Sequence, residues 1–466
     1  MASVASNPAS ADAQSFPQHL NTRSQTKKRS KRKHESLSSS LCATLVEHQL
    51  GLSINVLMLL VLTHVCFPSL RSSTIQYFTL SYYDAQTGLY NPGWQDLKFV
   101  SLCIIVFTGL RAAAMDYALV PMARRCGIHK KKATIRFAEQ AWLVLYYAAF
   151  WFLGTYLVYE SPYFNNLPAM WSAFPTRSMT GLFKLYYLAQ FGFWLQQIMV
   201  VNIEERRKDH WQMFTHHIIT CLLLIGSYGY YQTKVGNVIL CLMDVVDLVF
   251  PIAKLLKYMG MQTACDIAFG VFMLSWFVAR HVFYLAVCWS IYADVPVEMP
   301  YGCYNAVTGA KTSEDGGNEV LSNVLHAYTS GNGDVCFNEK IHYGFLGLLL
   351  ALQVITIIWF GMICRVAYRV ICGKGADDTR SDDEEEEEEE EEDTLDTVRD
   401  FSTKEPELRL APQEEEVGVE SLRFTRRPSP AAKRTSEKSR ASGISIPGNH
   451  KDLLGRIGCD KPAGGS

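Results

Sequence analysis

The stretch HWQMFTHHIITCLLLIGSYGYYQTKVGNVILCLMDVVDLVFPIAKLL, residues 210–256, decides how the rest of the chain is read. It is apolar enough to lie in a lipid bilayer, yet it carries His216, His217, Asp244 and Asp247. A charged carboxylate near the middle of a membrane helix costs about 2.5–3.5 kcal/mol on insertion scales. Ionisable groups kept at such positions are functional candidates by default, so the stretch reads as two membrane helices that carry a site.

Outward from this stretch the bulk composition misleads. The 466 residues are 48% hydrophobic and 19% charged, with a net charge of -2, which resembles a soluble protein. The charges are segregated, however. A basic run, KKRSKRKHE, lies near the N-terminus, and an unbroken acidic run extends from Asp382 to Asp393. Between them lie several apolar stretches of ~20 residues, the length that crosses a ~30 Å hydrocarbon core. Eight spans are expected, near 48–67, 97–120, 136–158, 181–203, 212–231, 236–257, 264–291 and 342–370. The fold class is therefore an all-α, polytopic membrane helical bundle. The first apolar run begins near residue 50, after a polar leader, so no cleavable signal peptide is expected.

Lys/Arg clusters orient the spans by the positive-inside rule. ARRCGIHKKKATIR after span two, EERRKDHW after span four and AKLLKYMG closing span six all fall on the cytosolic side if the N-terminus is cytosolic. Eight spans then place both termini in the cytosol. The opposite loops are aromatic and poor in positive charge. The longest, 292–341, is rich in Gly, Asn, Ser and Asp, and is expected to be irregular. It contains Cys303 and Cys336, which an oxidising lumen would allow to form a disulfide; two free thiols are the alternative. The other eleven of the thirteen cysteines mostly sit in apolar segments, and no CxxC or zinc-type spacing occurs. Residues 1–45 and 373–466 lack hydrophobic periodicity and read as disordered, basic and acidic/Ser-rich respectively. Ser381 in an acidic context and Ser429 in RRPSP are phosphorylation candidates.

Helical geometry sharpens the site. His216 and His217 point about 100° apart and border one cavity without sharing a face. Asp244 and Asp247, three residues apart, share a face. With spans five and six antiparallel, the histidines lie roughly 7–10 Å from the cytosolic end, and Asp247 roughly 15 Å from it, at 1.5 Å per residue. Structural hydrogen bonding is the bland reading of any one of them; four at similar depth favour a functional cavity. Metal binding is the main chemical rival. Membrane di-iron enzymes need several His boxes, which the twelve histidines do not supply. A DxxDG motif of phosphatidyl-alcohol transferases fails at Leu248, and no DHHC is present. Metal-free acid–base or nucleophilic chemistry on a lipid remains.

The segments RFAEQAWLVLYY, YYLAQFGFWLQQIMVVNIEERRKDHWQMFTHHIITCLLLIGSYGYY, TKVGNVILCLMDVVDLVFPIAKLLKY and DIAFGVFMLSWFVARHVFY closely resemble the Lag motif region of ceramide synthases, within the wider TLC membrane family. The resemblance implies a catalytic domain over 131–372, with 46–130 supplying the first two spans. It implies acyl transfer from a fatty acyl-CoA, a substrate and not a bound cofactor, to the amine of a sphingoid base such as dihydrosphingosine or phytosphingosine. A non-catalytic lipid-binding, lipid-sensing or lipid-moving TLC protein is the alternative. In the family the two histidines and two aspartates are required for activity, which carries over to His216, His217, Asp244 and Asp247. Arg280 and His281 in VARHVFY, and Arg206 and Arg207, are substrate-binding candidates. No metal is implied, and no nucleic acid. Endoplasmic-reticulum residence, a small single-span subunit as in fungal members, and a homodimer are further implications. The homeobox-like domain of some animal members is absent, since only about thirty residues separate spans one and two.

Overall fold

The computed structural model describes residues 48–203, 209–329 and 331–372. The two tails, Arg206, Arg207, Ser381 and Ser429 lie outside the described residues. Among the described residues, eight helices of 18 residues or more occupy the eight expected positions. They are α1 (Gln49–Cys66), α3 (Asp96–Arg125), α4 (Lys131–Tyr159), α5 (Gly181–Ile203), α6 (His210–Gly229), α7 (Thr233–Tyr258), α8 (Gln262–Ala293) and α9 (Glu339–Ile371), with the short α2 (Arg71–Phe78) after the first. Five of them, α1, α3, α4, α8 and α9, are long and apolar enough to cross a membrane by length and composition alone. The other three, α5, α6 and α7, bury polar groups such as Lys184, Gln190, His216, Asn237 and Asp244, which lowers their apolarity.

Local signals set the helix ends. Thr180 caps α5, its hydroxyl accepting from the Phe183 N–H at 3.3 Å, and Asn338 caps α9 by accepting from the Ile341 N–H at 3.0 Å. Gly127, at φ +86°, takes the left-handed conformation that closes α3 before α4 begins. All nine residues from Tyr186 to Trp194 of α5 are buried, so this helix is enclosed on most sides. It packs between α3 and α6, while α4 lies along α7, and α9 reaches both α6 and α8.

The connections that follow α1, α4, α6 and α8 meet one another at one end of the bundle. The Tyr90 N–H donates to the Met179 carbonyl at 2.9 Å. The Phe174 ring lies 5.3 Å from that of Tyr230 and 5.4 Å from that of Tyr304. The Tyr231 hydroxyl bonds His326 Nδ1 at 2.9 Å. This capped end is pinned by a buried ion pair, Lys184 Nζ to Asp96 Oδ1 at 2.8 Å. Lys184 also donates to the carbonyls of Ser81 and Asn91, at 2.8 and 2.7 Å. Asp96 Oδ2 accepts from the Tyr228 hydroxyl and the Gly93 N–H, at 2.8 and 2.9 Å. One carboxylate thus ties the starts of α3 and α5 to the end of α6.

The expectation of an irregular loop over 292–341 needs correcting. After a two-stranded ribbon, β1 (Tyr83–Asp84) with β2 (Leu89–Tyr90), the long loop builds a three-stranded antiparallel sheet. Its strands are β3 (Gly302–Asn305), β4 (Lys311–Ser313) and β5 (Asp334–Phe337), in the order β4-β3-β5. Strands of three or four residues are too short for side-chain alternation to stand out against Gly- and Asn-rich turns. The register sets Cys303 opposite Cys336, and the two form a disulfide with S–S 2.00 Å. The bridge closes a loop with a sequence separation of 33, for which chain entropy gives roughly 3–4 kcal/mol. Replacing both cysteines by serine is expected to lower the melting temperature in detergent by several degrees. An unchanged melting curve would show that the sheet holds without its staple.

Candidate active site

The site forms where α5, α6, α7, α8 and α9 converge. His216 and His217 lie six and seven residues into α6, which puts them about 9–10 Å from the end opposite the cap. Both are buried, at 5% and 6% exposure. Their ring centroids are 5.5 Å apart. Trp194 of α5 touches both, at 5.8 and 5.3 Å, and Trp359 of α9 lies 5.3 Å from His216. Neither histidine has a hydrogen-bond partner for its Nδ1 among the described residues.

The aspartates, one turn apart on α7, take different partners. Asp244 is fully buried, and its Oδ2 accepts from Gln190 Nε2 at 2.6 Å. The Gln190 carbonyl in turn accepts from the Tyr146 hydroxyl at 2.7 Å. A tyrosine, an amide and a carboxylate therefore form a chain across α4, α5 and α7. Asp244 Oδ1 has no partner among the described residues. Asp247 pairs with Arg280, Nη2 to Oδ1 at 2.8 Å. Arg280 Nη2 also donates to the Met243 carbonyl at 2.9 Å, and its guanidinium sits 4.2 Å over the Trp276 ring.

Two backbone irregularities serve this arrangement. Pro251 lies inside α7. Having no N–H, it cannot bond the carbonyl four residues before it, that of Asp247, so the helix is loosened at the carboxylate. In α8, residues Phe277–Phe283 form a π-helical turn. It turns Arg280 toward α7 while the next residue, His281, faces α9, where its Nδ1 bonds Gln353 Nε2 at 2.7 Å. Such turns recur at functional sites.

An apolar cavity begins at this cluster. It holds about 880 Å³ of empty space, its mouth included. One wall is a stripe of α6, His216, Thr220, Leu223, Leu224 and Ser227. From His216 to Ser227 this stripe runs about 17 Å along the axis. Gly236, Leu240 and Met243 of α7 face it, and Phe345, Leu349 and Leu352 of α9 close the side. Its far end is floored by Met299, Phe337 and His342 at the capped end. A Cβ on Gly236 would meet the Tyr187 hydroxyl at 2.0 Å, so only glycine permits that wall to close.

The cavity thus takes in His216 of the four motif residues. His217, Asp244 and Asp247 stand behind it, and Arg280 and His281 are not on its wall. Among the described residues no three ligating side chains converge as a metal group would require. Gln190, Tyr146, Trp194 and Pro251 lie outside the paired-histidine and DxxD motif and join the site only through the fold. A proline four residues after an intramembrane aspartate was the one signal available. The arrangement suits acid–base or nucleophilic work on a ligand whose long apolar tail fills a dry channel.

Comparison with known proteins agrees with this architecture. Residues 136–365 match the family described as the TLC domain. A sphingosine N-acyltransferase-like protein of Alternaria alternata is 54% identical over 347 residues, covering 74% of this chain and 77% of its own length. A ceramide synthase of Gibberella moniliformis is 40% identical over 326 residues, 69% of this chain and 76% of its own. A sphingosine N-acyltransferase of Schizosaccharomyces pombe is 40% identical over 323 residues, 68% and 76% respectively. With the eight-helix bundle, the paired histidines and aspartates, and similarity of that depth over most of its helices, this chain belongs to the TLC-domain membrane family, in its ceramide synthase branch.

Proposed function

We propose that the chain is a ceramide synthase, moving a fatty acyl group from acyl-CoA to the amine of a sphingoid base to give (dihydro)ceramide and CoA. The observation that carries this reading is the position of His216 at the head of a long apolar cavity, within a chain so similar to proteins named for that activity. An acyl chain lies in the cavity with its tail toward the floor of Met299, Phe337 and His342, which leaves the thioester beside His216. Burial of the tail supplies binding energy away from the reacting atoms.

Two routes fit the residues. In the first, a histidine removes a proton from the sphingoid ammonium and the free amine attacks the thioester carbonyl. In the second, His216 attacks, forms an acyl-imidazole and releases CoA, and the amine then takes the acyl group. In both, a C–S bond is broken, a C–N bond to the sphingoid base is formed, and the thiolate leaves with a proton. The unengaged Nδ1 atoms favour the second route, since no carboxylate fixes either imidazole through that atom as a bare base would ordinarily require. Asp247, the more exposed of the two and paired with Arg280, is the carboxylate that holds the incoming ammonium, while Asp244, fully buried behind the wall and bonded to Gln190, positions the helices around the histidines. A lipid-binding or lipid-moving TLC protein would use the same cavity but would have no need for buried, unpartnered acid–base groups at its head.

The capped end faces the lumen of the endoplasmic reticulum and both termini face the cytosol; the Lys/Arg-rich connections on the opposite side and the disulfide at the cap support this. Arg206 and Arg207 then stand on the side where acyl-CoA is dissolved. A small single-span subunit and a second copy of the chain are the expected protein partners. The test is purified protein, with labelled palmitoyl-CoA or a very-long-chain acyl-CoA plus dihydrosphingosine. Labelled dihydroceramide is expected. No product from folded protein at either chain length, with the small subunit supplied, would overturn the reading in favour of lipid binding.

A further inference from the structure

We propose that the indole N–H of Trp194 is the oxyanion donor of the acyl-transfer step, a role that rests on the acyltransferase reading above. The cavity wall has been satisfied almost completely from within. The hydroxyls of Tyr187 and Ser227 bond each other, and the Trp171 indole donates to Ser290 Oγ at 2.9 Å. The Tyr230 hydroxyl donates to the Cys336 carbonyl at 3.0 Å, and the Thr220 hydroxyl to the His216 carbonyl at 2.9 Å. At the floor, Gln232 donates to the Met299 sulfur, and both ring nitrogens of His342 are engaged. Two residues of the wall keep a buried ring nitrogen without a partner among the described residues, Trp194 at Nε1 and His216 at Nδ1, and their rings are neighbours.

A buried tryptophan ordinarily finds an acceptor for its N–H, because a desolvated donor left alone costs stability. Trp194 is 2% exposed, so water does not serve as that acceptor from bulk. The donor is fixed on the rigid, buried α5, and its ring lies 5.8 Å from that of His216, centroid to centroid. An acyl chain seated in the cavity with its carbonyl carbon at His216 brings the carbonyl oxygen into the space beside Trp194. When the nucleophile adds, the π pair of the C=O bond moves onto that oxygen, and the indole N–H donates to it. When the adduct collapses, the pair returns, the C–S bond breaks, and the thiolate departs with a proton. No oxidant or further reactant is needed. A donor held in place in a low-dielectric site needs no reorganisation as the charge develops. The indoles of Trp276 and Trp359 also lack acceptors among the described residues, but neither residue lines the cavity.

Trp194→Phe keeps the ring and removes the N–H. Beside wild type it is expected to lower kcat by about 10²-fold or more while KM for acyl-CoA stays within about threefold, the pattern of an interaction that matters mainly in the transition state. Trp194→His, which restores a ring N–H, is expected to recover at least about tenfold of that loss. Trp142→Phe, which removes another buried indole N–H without an acceptor among the described residues, on a residue that does not line the cavity, is expected to leave kcat unchanged. Wild type without product would sink the acyltransferase reading itself. Wild type with product, and Trp194→Phe turning over within about threefold of it, would overturn the oxyanion role. So would a rise in KM that accounts for the whole loss, or failure of both Trp194 variants to fold, since each makes the indole a packing group.

Discussion

His216→Ala is expected to reduce dihydroceramide formation by about 10³-fold or more, the scale on which removal of a nucleophile or general base is felt. Folding should be nearly unaffected, because the Nδ1 gives up no hydrogen bond and the truncation only enlarges an existing cavity. His217→Ala gives the informative contrast. His217 stands behind the wall, so its loss should act through the position of its neighbour. Acid-quenching wild type with labelled acyl-CoA in the absence of sphingoid base distinguishes the two routes. Label retained on the protein, and lost in His216→Ala, supports the acyl-imidazole. Turnover by His216→Ala within tenfold of wild type would remove His216 from the chemistry.

Lys184→Met is expected to have the largest effect on stability. Lys184 and Asp96 are 0% and 1% exposed, so the substitution strands a carboxylate in the bundle with only the Tyr228 hydroxyl and the Gly93 N–H to offset its desolvation. Breaking one side of a buried pair costs about 3–5 kcal/mol. The companion variant Asp96→Asn with Lys184→Met removes both charges and should recover a substantial part of that loss. Denaturation monitored by size-exclusion profile across a temperature series reads both. A loss below about 1 kcal/mol in Lys184→Met would place the pair with solvated surface bridges.

The helices and the motif were legible because each depends on residues near one another in sequence. Twenty apolar residues announce a span, and HH with DxxD announces two helices bearing polar groups. The partners were not legible. Whether Asp244 meets His216, Gln190 or Arg280 depends on the rotational phase of α5, α7 and α8, which a few tens of degrees would change. Gln190 looked like any amide in a membrane helix, and Trp194 like any aromatic in FGFW. The Asp96–Lys184 pair joins residues on different helices and left no local trace. The sheet of β3, β4 and β5 was hidden for another reason, since its stability comes from a cross-link and from packing under the loops and not from strand propensity.

The floor of the cavity has a consequence for how the protein is made. Synthesis runs from the N-terminus, so His216 and Asp244 are in the membrane well before Met299, and Phe337, Leu349 and Leu352 follow later still. Until β5 pairs with β3 and α9 packs alongside α6, His216 faces a cleft that lacks one side and its floor. A nascent or truncated chain ending before β5 would hold every motif residue and no compartment. Possession of the motif therefore does not by itself mark a gene product as competent; α9, which carries none of the four residues, supplies the side wall of the cavity that His216 heads.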